Sequence, residues 1–74
     1  MLKRRPSKTT MAILELLLNS GCLPTFIIAE KLGKPSRTVS SYLSHLRARG
    51  IVAYRNGCWE LTEDGRRLAK LLHH

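Results

Sequence analysis

Apolar side chains return every three or four positions along most of this chain, switch to a strand-like pattern after Gly50, and resume the helical spacing near the C-terminus. Ile13, Leu14 and Leu17 form the first stripe. Ser7 or Thr9 suits the N-cap of a helix that carries it to about Ser20, where Gly21 provides the stop. Ile28, Ala29 and Leu32 predict a second, short helix that Thr25 caps and Gly33 ends. Lys34, Pro35 and Ser36 make a tight connection into a third helix, with Val39, Leu43 and Leu46 along one side and Gly50 at its end. Ile51 to Tyr54 and Trp59 to Leu61 are rich in β-branched and aromatic residues, and Asn56-Gly57 lies between them. Both residues tolerate positive φ, so a type I′ hairpin is expected. Thr62 then caps a last helix with Leu68, Leu71 and Leu72 on one side.

Seventy-four residues sustain one modest core, so the chain divides into a basic leader at 1–6, set off by Pro6 and expected to be flexible, and one domain at 7–74. The apolar runs are far shorter than the roughly 20 residues of a membrane span. A signal peptide is not recognisable either, which makes the cytoplasm the expected location. Cys22 and Cys58 lack a close thiol or a spaced histidine pair; they read as buried or half-buried thiols, and neither a metal nor a cofactor is expected.

Charge changes the picture most. Thirteen Lys and Arg face five acids, a net +8. Residues 1–58 hold 10 basic and 2 acidic side chains and residues 59–74 hold 3 of each, so the whole surplus precedes Trp59. A polyanionic partner follows. On the third helix, an advance of about 100° per residue returns Val39, Leu43 and Leu46 to the core and turns Arg37, Ser41, Ser44 and Ala48 directly away from it. Small residues let a helix approach base edges, and an arginine can donate two hydrogen bonds to guanine. Thr38 and His45 on one flank, with Ser40 and Arg47 on the other, are placed for phosphate or edge contacts.

The run from Ile28 to Val52, IAEKLGKPSRTVSSYLSHLRARGIV, resembles the helix-turn-helix core of bacterial and archaeal winged-helix regulators of the ArsR and MarR types. Leu61 to Arg66, LTEDGR, resembles the segment after their wing, and the likeness extends over about residues 9 to 72. It implies an α+β, mostly α, winged helix-turn-helix: a three-helix core, a two-stranded β-hairpin wing and a C-terminal helix. It also implies a small repressor-like transcriptional regulator of prokaryotic or viral source, which binds double-stranded DNA. The recognition helix, about 36–49, would lie in the major groove and the wing, about 54–58, on the backbone or minor groove. The residues expected at DNA are Ser36, Arg37, Thr38, Ser40, Ser41, Tyr42, Ser44, His45, Arg47, Arg55 and Asn56. Tyr42 sits beside the core stripe and suits either role, while Trp59 fits the space beneath the hairpin better than a base stack. A winged helix used for protein or RNA contacts is the alternative.

The metal-sensing members carry a Cys-x-Cys pair near the positions of Pro24 and Phe26, and neither of these ligates metal. The proteins of this type that bind left-handed duplexes carry Asn and Tyr where Ser40 and Ser44 stand. An enzyme is not expected, because Glu15, Glu30, Glu60, Glu63 and Asp64 are scattered along the chain. Apolar side chains left over from the core, namely Leu16, Phe26, Ile27, Leu68 and Leu72, point to a homodimer through the first and last helices.

Overall fold

The computed structural model describes residues 7–72. The leader at 1–6 and the final histidine pair lie outside the described residues. Along the chain run α1 (Lys8–Ser20), β1 (Cys22–Leu23), α2 (Thr25–Leu32), α3 (Ser36–Ala48), β2 (Val52–Arg55), β3 (Cys58–Leu61) and α4 (Glu63–Leu72). Every helix and the hairpin fall where the periodicity puts them.

The helix starts differ in chemistry. Ser7 is the cap of α1, its hydroxyl accepting the Thr10 N–H at 3.1 Å. Thr62 caps α4 through a 3.0 Å bond from the Gly65 N–H. Thr25 does not cap α2. Pro24 holds that position with no side-chain bond, and Thr25 is the first helical residue, its hydroxyl engaged by the Trp59 indole instead.

The three predicted stripes close on one another: Ile13, Leu14, Leu17, Ile28, Ala29, Val39, Leu43 and Leu46 are buried, and Leu32 of the second stripe is half-buried against them. Val52, Trp59 and Leu61 from the sheet and Ala69 from α4 complete this core. In α4 the expected stripe needs correction. Leu71 is 70% exposed, and the inward side is Gly65 and Ala69, with Leu68 and Leu72 half-buried against the core. That spacing of i, i+3, i+4 and i+7 is the helical one, and Leu71 falls outside it.

The hairpin turns through Asn56 at φ 51° and Gly57 at φ 81°, the left-handed pair that a type I′ turn demands. The sheet has three strands rather than the expected two, because β1 pairs antiparallel with β3 to give the order β1-β3-β2. Cys22 lies opposite Glu60 and Leu23 opposite Trp59. Side chains alternate between the faces of a strand. Trp59 and Leu61 are therefore turned to the core, and Cys58 and Glu60 share the outer face with Cys22. The two cysteines form a disulfide there, their Cα atoms 5.6 Å apart, which overturns the expectation of thiols. Two isolated cysteines 36 residues apart offered no local pattern; the pairing of β1 with β3 brings them together.

Helix α4 approaches the start of β2 closely. A Cβ on Gly65 would collide with the carbonyl oxygen of Ile51. The same carbonyl accepts the Thr62 N–H at 3.0 Å, and the Thr62 hydroxyl donates to the Gly50 carbonyl at 2.6 Å. Helix propensity alone would favour alanine over glycine at position 65 by about 1 kcal/mol. The collision outweighs it, since overpacking against backbone costs about 1–3 kcal/mol. Gly65→Ala is expected to lower the unfolding free energy, and a denaturation midpoint unchanged or raised would show that α4 does not sit against Ile51.

The disulfide closes a loop of 36 residues, for which chain-entropy arguments give about 4 kcal/mol. Thermal unfolding with and without dithiothreitol measures this, and the midpoint should fall steeply on reduction. An unchanged midpoint would contradict the loop-closure account.

Candidate nucleic-acid interface

The burial of Val39, Leu43 and Leu46 decides which side of α3 meets solvent. Ser36, Arg37, Ser40, Ser41, Ser44, His45, Arg47 and Ala48 are all exposed, while Thr38 and Tyr42 are half-buried at the edges of the stripe. Tyr42 is half-buried and packs against the core cluster at the edge of this face. The outward face therefore carries Arg37, Arg47, His45 and hydroxyls, without one acid. From Lys31 to Trp59 the chain has 6 basic residues and none that is acidic.

Several local features prepare this face. The first turn of α3 holds no acidic residue, and Pro35 supplies no side-chain cap. Its leading N–H groups and positive dipole end are thus not neutralised from within the helix. His45 folds back along α3, with Nδ1 3.0 Å from the Ser41 carbonyl. A carbonyl can only accept, so Nδ1 carries the proton and donates, which leaves Nε2 as the outward atom. Arg49, absent from the residues expected at DNA, is also exposed at the end of α3.

The hairpin supplies a second basic element. Tyr54, Arg55, Asn56 and Gly57 are exposed at its tip. Arg55 Nε lies 2.8 Å from Glu60 Oε2, an ion pair across the outer face of β2 and β3. Sequence reasoning missed this partner, although Arg55 and Glu60 come onto one face once the hairpin register is fixed. At the opposite face Tyr54 tilts against Trp59 with ring centroids 4.8 Å apart. Trp59 is buried, and its Nε1–H donates to the Thr25 hydroxyl at 2.9 Å. The wing is by this bond attached to the first residue of α2.

The remaining expected surface residues are dispersed. Phe26 is 65% exposed, Ile27 is half-buried, and Leu68 and Leu72 pack partly against the core. Leu16 lines an open groove with Ala12, Glu15, Asn19, Lys31 and Leu32 between α1 and α2. Among the described residues no group of three or more His, Cys, Asp or Glu is placed to hold a metal, and no helix is long and apolar enough to cross a membrane.

A core of three helices, a basic outward α3 and an attached β-hairpin define a winged helix-turn-helix domain. Residues 6–53 match the family model described as winged helix-turn-helix DNA-binding, and the chain belongs to that family. The solved structures similar to it include NMB1585, a MarR family regulator from Neisseria meningitidis, at 27% identity and a TM-score of 0.85 over 92% of this chain and 53% of that one. The Mycobacterium tuberculosis MarR family protein Rv2887, solved in complex with DNA, is 26% identical with a TM-score of 0.86, over 92% of this chain and 54% of its own. ZitR of Lactococcus lactis is 28% identical with a TM-score of 0.82, over 95% and 52%. This chain thus spans about half the length of these proteins, and its fold is that of the MarR-type DNA-binding domain. Among curated proteins no sequence matches.

An exposed ion pair such as Arg55–Glu60 is worth at most about 1 kcal/mol to the fold, so its larger effect is on the charge the wing presents. Glu60→Gln should leave thermal stability nearly unchanged and tighten duplex binding by about two- to fivefold at low ionic strength, an advantage that screening removes at high salt. Weaker binding by the variant would show that Glu60 orients Arg55 for its contact rather than competing for it.

Proposed function

We propose that this protein is a sequence-specific double-stranded DNA-binding protein acting as a small repressor-like transcriptional regulator, without enzymatic activity, in the cytoplasm. The observation that carries this reading is the outward face of α3, where Arg37, Ser40, Ser41, Ser44, His45 and Arg47 are exposed together and no acid intervenes. Arg37, Ser41 and Ser44 are the groove-facing set, with Thr38, Tyr42 and His45 on one side and Ser36, Ser40 and Arg47 on the other. The helix enters the major groove, and residues 54–58 of the wing, chiefly Arg55 and Asn56, meet the backbone or the minor groove.

Two variants separate these roles. Arg37→Ala should relax base preference at one or two positions of a selected site at a cost of about 1–3 kcal/mol, while Arg55→Ala should weaken all duplexes alike. Binding should fall steeply with salt, with a log-log slope of about −0.9 for each phosphate neutralised. Fluorescence anisotropy on matched and mismatched duplexes measures all three. Equal losses on every duplex for Arg37→Ala, or salt-independent binding, would refute the assignment.

The regulator acts as a homodimer, with Leu16, Phe26, Ile27, Leu68 and Leu72 as the residues that a partner copy would cover. The 65% exposure of Phe26 supports this reading, since a large apolar side chain in water favours a covering partner. Two copies would set their α3 helices about 34 Å apart, at successive major grooves of a palindromic site. Sedimentation equilibrium at micromolar concentration should give twice the 8.4 kDa chain mass. The monomer mass throughout, unaltered by Phe26→Glu, would exclude the dimer.

A further inference from the structure

We propose that the Cys22–Cys58 disulfide positions the wing for DNA, so that reduction removes the Arg55 contact while α3 continues to read sequence. This rests on the DNA-binding reading above and assigns a role to two residues outside the helix-turn-helix.

The hairpin is held by burial only at its root, through the apolar side chains of Val52, Trp59 and Leu61. Beyond Trp59 no described side chain of the hairpin is buried: Tyr54, Arg55, Asn56 and Gly57 are exposed and Cys58 is half-buried. Burial therefore cannot fix the tip. Cys58 is the register partner of Arg55, the residue directly across the ladder from it. Cys58 is also the first residue after the turn, and it is bonded to Cys22.

Cys22 is a firm anchor. It lies between Gly21, whose N–H closes the end of α1 on the Leu17 carbonyl at 2.8 Å, and the Pro24 that opens α2. Strand β1 contributes only Cys22 and Leu23, so the noncovalent ladder joining the wing to this connection is short. The covalent bond crosses that ladder diagonally, from Cys22 opposite Glu60 to Cys58, one position nearer the turn than the Leu23–Trp59 pair. With it in place, Arg55 projects from a strand pair fixed on its outer face to the helical body. Without it, the segment from Tyr54 to Cys58 is held by the β2–β3 ladder, the Tyr54 ring against Trp59 and the Arg55–Glu60 pair, and Cys58 itself has no tie to the helical body.

The bond is also open to chemistry. Cys22 is exposed, so a thiolate of a dithiol reductant can attack its Sγ and expel Cys58 as thiolate. The second thiol of the reductant then displaces Cys22 from the mixed disulfide and closes its own ring. Two electrons pass to the protein, each cysteine gains a proton, and the reductant ends as a cyclic disulfide. Disulfides in proteins of reducing compartments are mostly transient or redox-sensing, outside hyperthermophiles.

The test compares the oxidised chain, the dithiothreitol-reduced chain and the Cys22→Ser/Cys58→Ser variant, each alone and combined with Arg37→Ala or Arg55→Ala, on matched and mismatched duplexes. Circular dichroism at the assay temperature establishes that each is folded. Reduction should weaken binding about tenfold on every duplex, the worth of one charged contact, and lower the magnitude of the salt slope by about 0.9. Arg55→Ala should then cost little further, and Arg37-dependent discrimination should persist. The double serine variant should match the reduced chain and ignore the reductant. Equal affinity in both redox states overturns the proposal, as does a loss of Arg37-dependent discrimination in step with the Arg55 contact. Loss of the helical signal on reduction overturns it too, by assigning the bond to stability alone. If the oxidised chain binds no duplex, the DNA-binding reading itself has failed.

Discussion

The position of the wing relative to the helices depends on the seat of Trp59. Its ring is buried in the core, where an indole N–H without a partner would cost a large part of what the burial contributes. The partner is the Thr25 hydroxyl at the start of α2, 2.9 Å away. One side chain thereby joins the central strand of the sheet to the first helix of the helix-turn-helix. Leu23 opposite it on β1 and Tyr54 opposite it on β2 make Trp59 the middle of a cross-strand row. The outer side of the same strand carries the disulfide and the Arg55–Glu60 pair. The inner side thus fixes the hairpin to the body, and the outer side sets how its tip is presented.

The recognition helix is governed by a simpler constraint. Val39, Leu43 and Leu46 are buried in the common core where α3 packs against α2 and β2, so α3 cannot rotate without exposing apolar area or burying serines and arginines. The face left outward is the one with small polar side chains and no negative charge. At the far end of α3, Ile51 N–H donates to the Leu46 carbonyl at 2.9 Å, and Thr62 and Gly65 close around the Ile51 carbonyl. Helix, wing and α4 meet at that peptide, which links the direction of the wing to the seating of α4.

Much of this was legible in the sequence because it is encoded locally. Helical spacing identified the buried stripes of α1 to α3, Ser7 and Thr62 announced their helices, and Asn56-Gly57 specified the turn. What escaped is tertiary. A strand of two residues between Gly21 and Pro24 has no period to detect, and without it Cys22 and Cys58 look like separate thiols. Thr25 has the right chemistry for a cap, but the indole competes for its hydroxyl. Gly65 reads as a weak helix former until the Ile51 carbonyl is seen against it. Leu71 shows that three leucines near one another need not share a buried side. The α3 residues assigned to DNA were found from the helical wheel, whereas Glu60, the partner of Arg55, needed the strand register.

If the outward face of α3 and the wing tip together form the surface that meets duplex DNA, both must respond when a duplex binds. Titration of ¹⁵N-labelled protein with a selected duplex, followed by amide chemical-shift changes, tests this directly. The largest shifts are expected at Ser36 to Ser44 on the outward side of α3 and at Arg55 to Gly57, with little change along the α1–α2 groove at Ala12, Leu16 and Asn19. Shifts concentrated in that groove, with α3 and the wing tip unaffected, would contradict it.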